Sequence, residues 1–128
     1  MADCARATGW PERGVYFFFD DDEPRADGSG PRVVRVGTHG VSAGSKSTLW
    51  GRLAQHRGNL AGARAGGGNH RGSVFRLHVG AAMLERGGYD DAVERAWVVK
   101  KPDKETLAAE AQLERGVSSY ICRLPFLW

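Results

Sequence analysis

The sequence predicts a small α/β (α+β) domain, on three observations. Two runs of β-branched and aromatic residues, GVYFFF and RVVRVG, stand close together near the start of the chain, separated by an acidic Gly/Pro-rich stretch. Helical periodicity then recurs in three later segments. The 128 residues, 41% of them apolar, are enough to build one core. No apolar run approaches the roughly 18 residues of a membrane-spanning helix, and the chain opens without a signal-peptide-like stretch, so a cytoplasmic protein is expected. The two cysteines, Cys4 and Cys122, lie far apart and suggest neither a disulfide framework nor a zinc ligand set.

Residues 14–19 read as a strand by composition. Residues 20–31, DDDEPRADGSGP, read as an exposed loop, with Asp20, Asp21, Asp22 and Glu23 as a solvated tip that discourages edge pairing. Residues 32–37 form the second strand, which gives a hairpin with a long tip. After a Gly/Ser loop, Ser47 or Thr48 is placed to cap a helix over Leu49 to Arg57. Its apolar face holds Leu49, Trp50 and Leu53, and Arg52 lies one turn before His56. The glycine-rich residues 58–70 fit no regular element. Residues 73–86 read as a helix with Val74, Leu77, Ala81 and Leu84 on its apolar stripe and His78 as a core histidine. Residues 87–91 are a turn. Residues 92–100 are open between strand and helix, with AWVVK favouring a short strand. Residues 103–121 read as a helix carrying Leu107, Leu113, Val117 and Ile121, and RLPFLW reads as the start of a strand. Its apolar ending is expected to continue in a longer natural protein.

Charge is unevenly distributed. From Gly28 to Leu84 there is no Asp or Glu, while Arg32, Arg35, Lys46, Arg52, Arg57, Arg64, Arg71 and Arg76 give a formal charge of +8 and the rest of the chain carries −5. All four histidines also lie in this stretch. Such a segment attracts phosphate over about a Debye length; the bland alternative is an arginine-biased composition. The histidines lack metal-ligand spacing, and GGGNH lacks the ending of a phosphate-binding P-loop. His39 and His70, both in Gly-rich loops, are open to phosphate contact or to a plain loop role.

Phosphodiester hydrolysis needs a deprotonated water, cations on the equatorial oxygens and a metal or proton for the leaving alkoxide. Arg supplies a planar fork for phosphate, and a Tyr among cations can act as a base. Gly14-Val15-Tyr16 lies on the first strand, Arg35-Val36-Gly37 ends the second, and Arg52 follows 15 residues after Gly37 in LWGRLAQHRG. The block Gly68 to Arg76, GNHRGSVFR, comes next. In this order the chain resembles the GIY-YIG nuclease superfamily, specifically a bacterial subgroup, over residues 12–128. The resemblance implies a three-stranded, largely antiparallel sheet flanked by helices, in a single domain incomplete at its C-terminus. It implies an endonuclease acting on DNA with Mg²⁺ or Mn²⁺. Carried onto this chain, it implies Tyr16, Arg52 and His56 as catalytic residues. Arg35, His39, Arg57, His70, Arg71 and Arg76 would then be the contacts to nucleic acid.

Two departures stand out. Arg35 occupies the place of the family's second-motif Tyr, where it can bind phosphate but cannot serve as a base. No Glu has an evident catalytic context, since Glu110 and Glu114 precede the final strand; the metal-binding Glu and a following Asn are expected beyond residue 128. A catalytically inactive nucleic-acid-binding module and a basic protein-interaction domain are therefore the alternative readings.

Overall fold

The computed structural model describes residues 9–59 and 67–128, so Cys4 and Arg64 fall outside the described residues. The chain runs β1 (Gly14–Pro24), β2 (Pro31–His39), α1 (Leu49–Arg57), a single 3₁₀ turn (His70–Gly72), α2 (Val74–Glu85), α3 (Asp91–Trp97), α4 (Lys104–Arg123) and β3 (Phe126–Leu127). This is an α+β fold with a three-stranded antiparallel sheet, as the sequence predicts. The residues group into two compact units, Met1–Ala54 with Ile121–Trp128 and Gln55–Tyr120.

In the first unit the strand order is β2-β1-β3. Strand alternation buries Tyr16, Phe18 and Asp20 on one face of β1. On β2 the same face carries Arg35, Gly37 and His39, which pair across the ladder with Phe18, Tyr16 and Gly14. The register shifts between Phe18 and Phe19, which leaves Val34 as the extra residue of a bulge. The hairpin is longer than its composition suggests. The acids expected in the loop continue β1 as far as Pro24, which pairs with Pro31. Strand propensity disfavours Asp and Glu, but here the polar groups are satisfied locally. Asp20 Oδ1 accepts the Asp22 N–H at 2.9 Å, and Glu23 meets Arg32 at 3.2 Å.

β3 pairs with β1 through Phe17–Leu127 and Phe18–Phe126, and the Phe19 N–H donates to the Pro125 carbonyl at 2.9 Å. Trp10 gathers Trp50, Phe126 and Trp128 around it, with ring centroids 4.8–6.3 Å away. Of the two possible caps, Thr48 is the one used: its Oγ1 accepts the Gly51 N–H at 3.0 Å, and Leu49 and Leu53 behind it are fully buried.

In the second unit Ser73 caps α2, its hydroxyl accepting the Arg76 N–H. The buried face of α2 is Phe75, Arg76 and Gly80, not the expected Val74 stripe; Val74 itself is 59% exposed. His78 is exposed rather than part of the core. The helix is turned this way because Trp97 lies against Gly80, whose missing side chain leaves room for the indole. Trp97 Nε1 also donates to the Leu77 carbonyl at 3.2 Å. Residues 91–97 form a helix and AWVVK contains no strand. Acids at 91 and 94 favour a helix start, and Val93, Ala96 and Trp97 form a buried i, i+3, i+4 stripe. On α4 the same periodicity buries Glu110, Leu113, Glu114, Val117 and Ser118, while Leu107 is exposed.

Candidate active site

In the sheet unit, Tyr16 is only 1% exposed. Gly37 lies directly opposite, and any Cβ at that position would fall inside the phenol ring, so the glycine is a steric requirement. Phe18 meets the ring edge-on at 6.0 Å between centroids. Arg35, from β2, and exposed Arg52, from α1, both bring positive charge to bear on the Tyr16 phenol. Burial pushes the phenol up from its ordinary value, and the charge and hydrogen bonds of Arg35 and Arg52 only partly oppose this. Arg35 Nε is buried with no hydrogen-bond partner. The structure therefore brings together Tyr16, Arg35 and Arg52, which the sequence separates by up to 36 positions.

His39 lies farther along the same sheet face. Its ring is buried, with Nε2 3.0 Å from the Pro11 carbonyl. It lines a cleft of about 480 Å³ with Pro11, Arg13, Val15 and Trp128.

The remaining expected residues lie in the second unit. His56 is buried, with Nδ1 2.7 Å from the Ser73 hydroxyl and its ring edge-on to Phe75 at 5.6 Å. Arg57 is half-buried at the end of α1. His70, Arg71 and Arg76 all turn onto two carboxylates of α4. Arg71 forms a fork onto Glu110 at 2.7 and 2.8 Å, and its Nε donates to the Val99 carbonyl at 2.8 Å. The fork of Glu110 raises Arg71 above its ordinary value, against a partial opposing effect of burial. Arg76 is fully buried. It donates to the carbonyls of His56 (2.8 Å) and Glu114 (2.9 Å), and through both Nε and Nη2 to Glu114 Oε2. The other oxygen of Glu114 accepts the His70 backbone N–H at 2.7 Å and faces its Nδ1 at 2.9 Å. His70 Nε2 faces the Trp97 carbonyl at 3.0 Å, and its ring stacks on the indole with centroids 3.7 Å apart.

Burial alone would raise the Glu114 carboxyl, but hydrogen bonds from His70 and Arg76, with the Arg76 charge, bring it down to about 2. In the sequence Glu110 and Glu114 stand as acids without a catalytic context. The available signal was their spacing: four apart, on the face of α4 that also carries Leu113 and Val117.

His70, Glu110 and Glu114 offer ligand atoms within 4.8 Å of one another, which is a metal-like grouping. As folded, the group does not fit a divalent ion. Arg71 occupies both oxygens of Glu110, and Arg76 with His70 occupies both oxygens of Glu114. An ion there would have to displace two guanidiniums and would meet their charge.

No helix among the described residues is long and apolar enough to cross a membrane. No curated protein and no solved structure matches the chain. A family model described as the GIY-YIG domain matches residues 1–128, and it covers both the Tyr16 group and the NHRG block. With the motif order, the antiparallel sheet and this whole-length match in agreement, the chain belongs to the GIY-YIG domain family, whose activity is of the nuclease type.

Proposed function

We propose that this chain is a nuclease-type phosphodiesterase domain acting on DNA, with Tyr16, Arg35 and Arg52 as its phosphate site. The observation that carries this reading is the approach of two guanidinium charges to one buried phenol in a member of this family. Arg35 and Arg52 would supply planar donors to the non-bridging oxygens and offset charge as the phosphorus becomes five-coordinate. His56 belongs to the proposal by its place in the motif, one turn after Arg52. His39 and Arg57 are proposed as further backbone contacts. His70, Arg71 and Arg76 support the domain through their carboxylates rather than by touching DNA. Dependence on Mg²⁺ or Mn²⁺ rests on family membership alone, and no step is assigned to the His70, Glu110 and Glu114 group.

Cleavage of supercoiled plasmid with Mg²⁺ or Mn²⁺ tests the reading. Nicking is expected from the native sequence and a loss of at least tenfold from Arg52→Ala. Tight, salt-dependent binding without nicking would favour a catalytically inactive nucleic-acid-binding module, a reading supported by Arg35 standing in place of the second tyrosine. No binding at about 50 mM salt would leave a basic protein-interaction domain.

A further inference from the structure

We propose that the cleft at the end of the sheet, between His39 and Trp128, receives one unpaired nucleobase of DNA beside the bound phosphate. The inference rests on the phosphate site proposed above and names the form of DNA that site takes: a strand with at least one base outside the duplex stack.

Four observations carry it. The first is an open floor. Gly14 lines the cleft and pairs across the ladder with His39. It has no side chain, and a Cβ there would meet only His39 Cε1, at 3.6 Å. The second is a pair of walls suited to a flat base. The His39 ring is 4% exposed and fixed by Nε2 on the Pro11 carbonyl at 3.0 Å. In the neutral ring that contact makes Nδ1 an acceptor, and Nδ1 meets no donor among the described residues. Opposite it, the Trp128 indole is braced by Trp10 and Phe126, with ring centroids 4.8 and 5.4 Å away, yet stays 54% exposed. An indole braced in this way and still open is a stacking platform. The third is charge. Arg13 lines the cleft, and among the described residues no Asp or Glu does. Arg13 forms no ion pair among them either. It is seated against Gly40, where a Cβ would collide with the Glu12 carbonyl. The fourth is position. Gly14–His39 is the neighbouring same-face pair to Tyr16–Gly37, so the cleft begins about 7 Å along the strand from the phosphate site. Its volume of about 480 Å³ is that of a small-molecule site. A base inside a duplex has both faces covered by its neighbours, and only an unpaired one presents a face to Trp128. Arg13 then serves the phosphate of that nucleotide, and a ring N–H or amino group of the base supplies the donor that His39 lacks.

Binding of short labelled DNAs at about 50 mM salt, read by fluorescence anisotropy, tests this. Three are compared: a blunt duplex, the same duplex with a short single-stranded overhang, and one whose overhang is built from abasic residues. The last two carry the same charge and differ only in the bases. The native chain is expected to bind the overhang with bases about tenfold more tightly than the abasic one, which is the worth of one stacked base. Trp128→Ala should remove that preference and leave binding of the abasic DNA unchanged, whereas Trp128→Phe should keep most of it. Gly14→Val fills the floor with a side chain that suits a strand, and it should act as Trp128→Ala does. Circular dichroism checks that each variant is folded, and either of the two decides the matter if the other is not. A Trp128→Ala or Gly14→Val variant that weakens both overhangs alike overturns the proposal. Salt-dependent binding by the native chain with no preference for bases overturns the base cleft alone. Absence of binding to all three DNAs overturns the phosphate site, and the cleft with it.

Discussion

Glu114→Gln is the most informative perturbation of this fold. Glu114 anchors three groups: the His70 backbone N–H, the His70 ring and the Arg76 guanidinium. The substitution keeps the shape but removes the charge, and it turns an NH₂ toward donors that previously met an oxygen. Arg76, at 0% exposure, is left without a counter-charge. Breaking one end of a buried pair costs about 3–5 kcal/mol, against a total stability of about 5–15 kcal/mol for a domain. At roughly 4 °C per kcal/mol for a chain of this size, Tm should fall by about 10–20 °C.

The acid limb gives an independent check. The folded carboxyl lies at about 2, against an ordinary 4.5. Its contribution is therefore fully present above about pH 4.5 and is lost as pH falls through about 2. It amounts to something on the order of 3 kcal/mol. Urea unfolding at pH 7 and at several values between 5 and 2, followed by tryptophan fluorescence and far-UV circular dichroism, measures both effects. Glu114→Gln should be less stable at pH 7 and should lack this part of the acid slope. The double variant Arg76→Leu/Glu114→Leu should cost less than its two single changes together, with a coupling of about 2 kcal/mol or more. A cost below about 1 kcal/mol for Glu114→Gln, with an unchanged acid slope, would refute the view that this carboxylate is clamped by buried cations.

The other expectations concern the glycines, the two classes of arginine and metal. Gly37→Ala should drive the Tyr16 ring from its seat, costing about 1–3 kcal/mol and weakening DNA binding, read by urea unfolding and anisotropy. Gly80→Ala meets the Trp97 indole in the same way; it should cost about as much and shift tryptophan emission while leaving the DNA salt slope unchanged. Arg52→Ala should reduce that slope by about one. Arg71→Ala, whose fork is held by Glu110, should leave the slope alone and lower Tm instead. Because the His70, Glu110 and Glu114 group is already saturated, any rise of Tm with millimolar Mn²⁺ should persist in Glu110→Gln; a rise of several degrees that this variant abolishes would show that the group takes an ion.

The sequence by itself determined whatever depends on neighbours within a few positions. Alternation placed Tyr16 and Phe18 on one strand face, and the bounds of α1 followed from a cap at Ser47 or Thr48, between which the structure chose Thr48, and from the glycine-rich stretch opening at Gly58. The motif order GVY, RVG and LWGRLAQH was equally legible and led to the family. Tertiary structure alone decided which way the charges point. His70, Arg71 and Arg76 look like a basic strip in the sequence, yet their partners Glu110 and Glu114 stand 38 to 44 positions later. Periodicity on one helix cannot register a counter-ion on another, so α2 was read with its apolar stripe inward. Once Glu114 offers a buried carboxylate and Trp97 covers Gly80, turning Arg76 inward costs less than leaving Glu114 unpaired, and Val74 faces outward instead. The acidic end of β1 follows the same logic: propensity marked a loop, and pairing with Arg32 and Pro31 made it a strand.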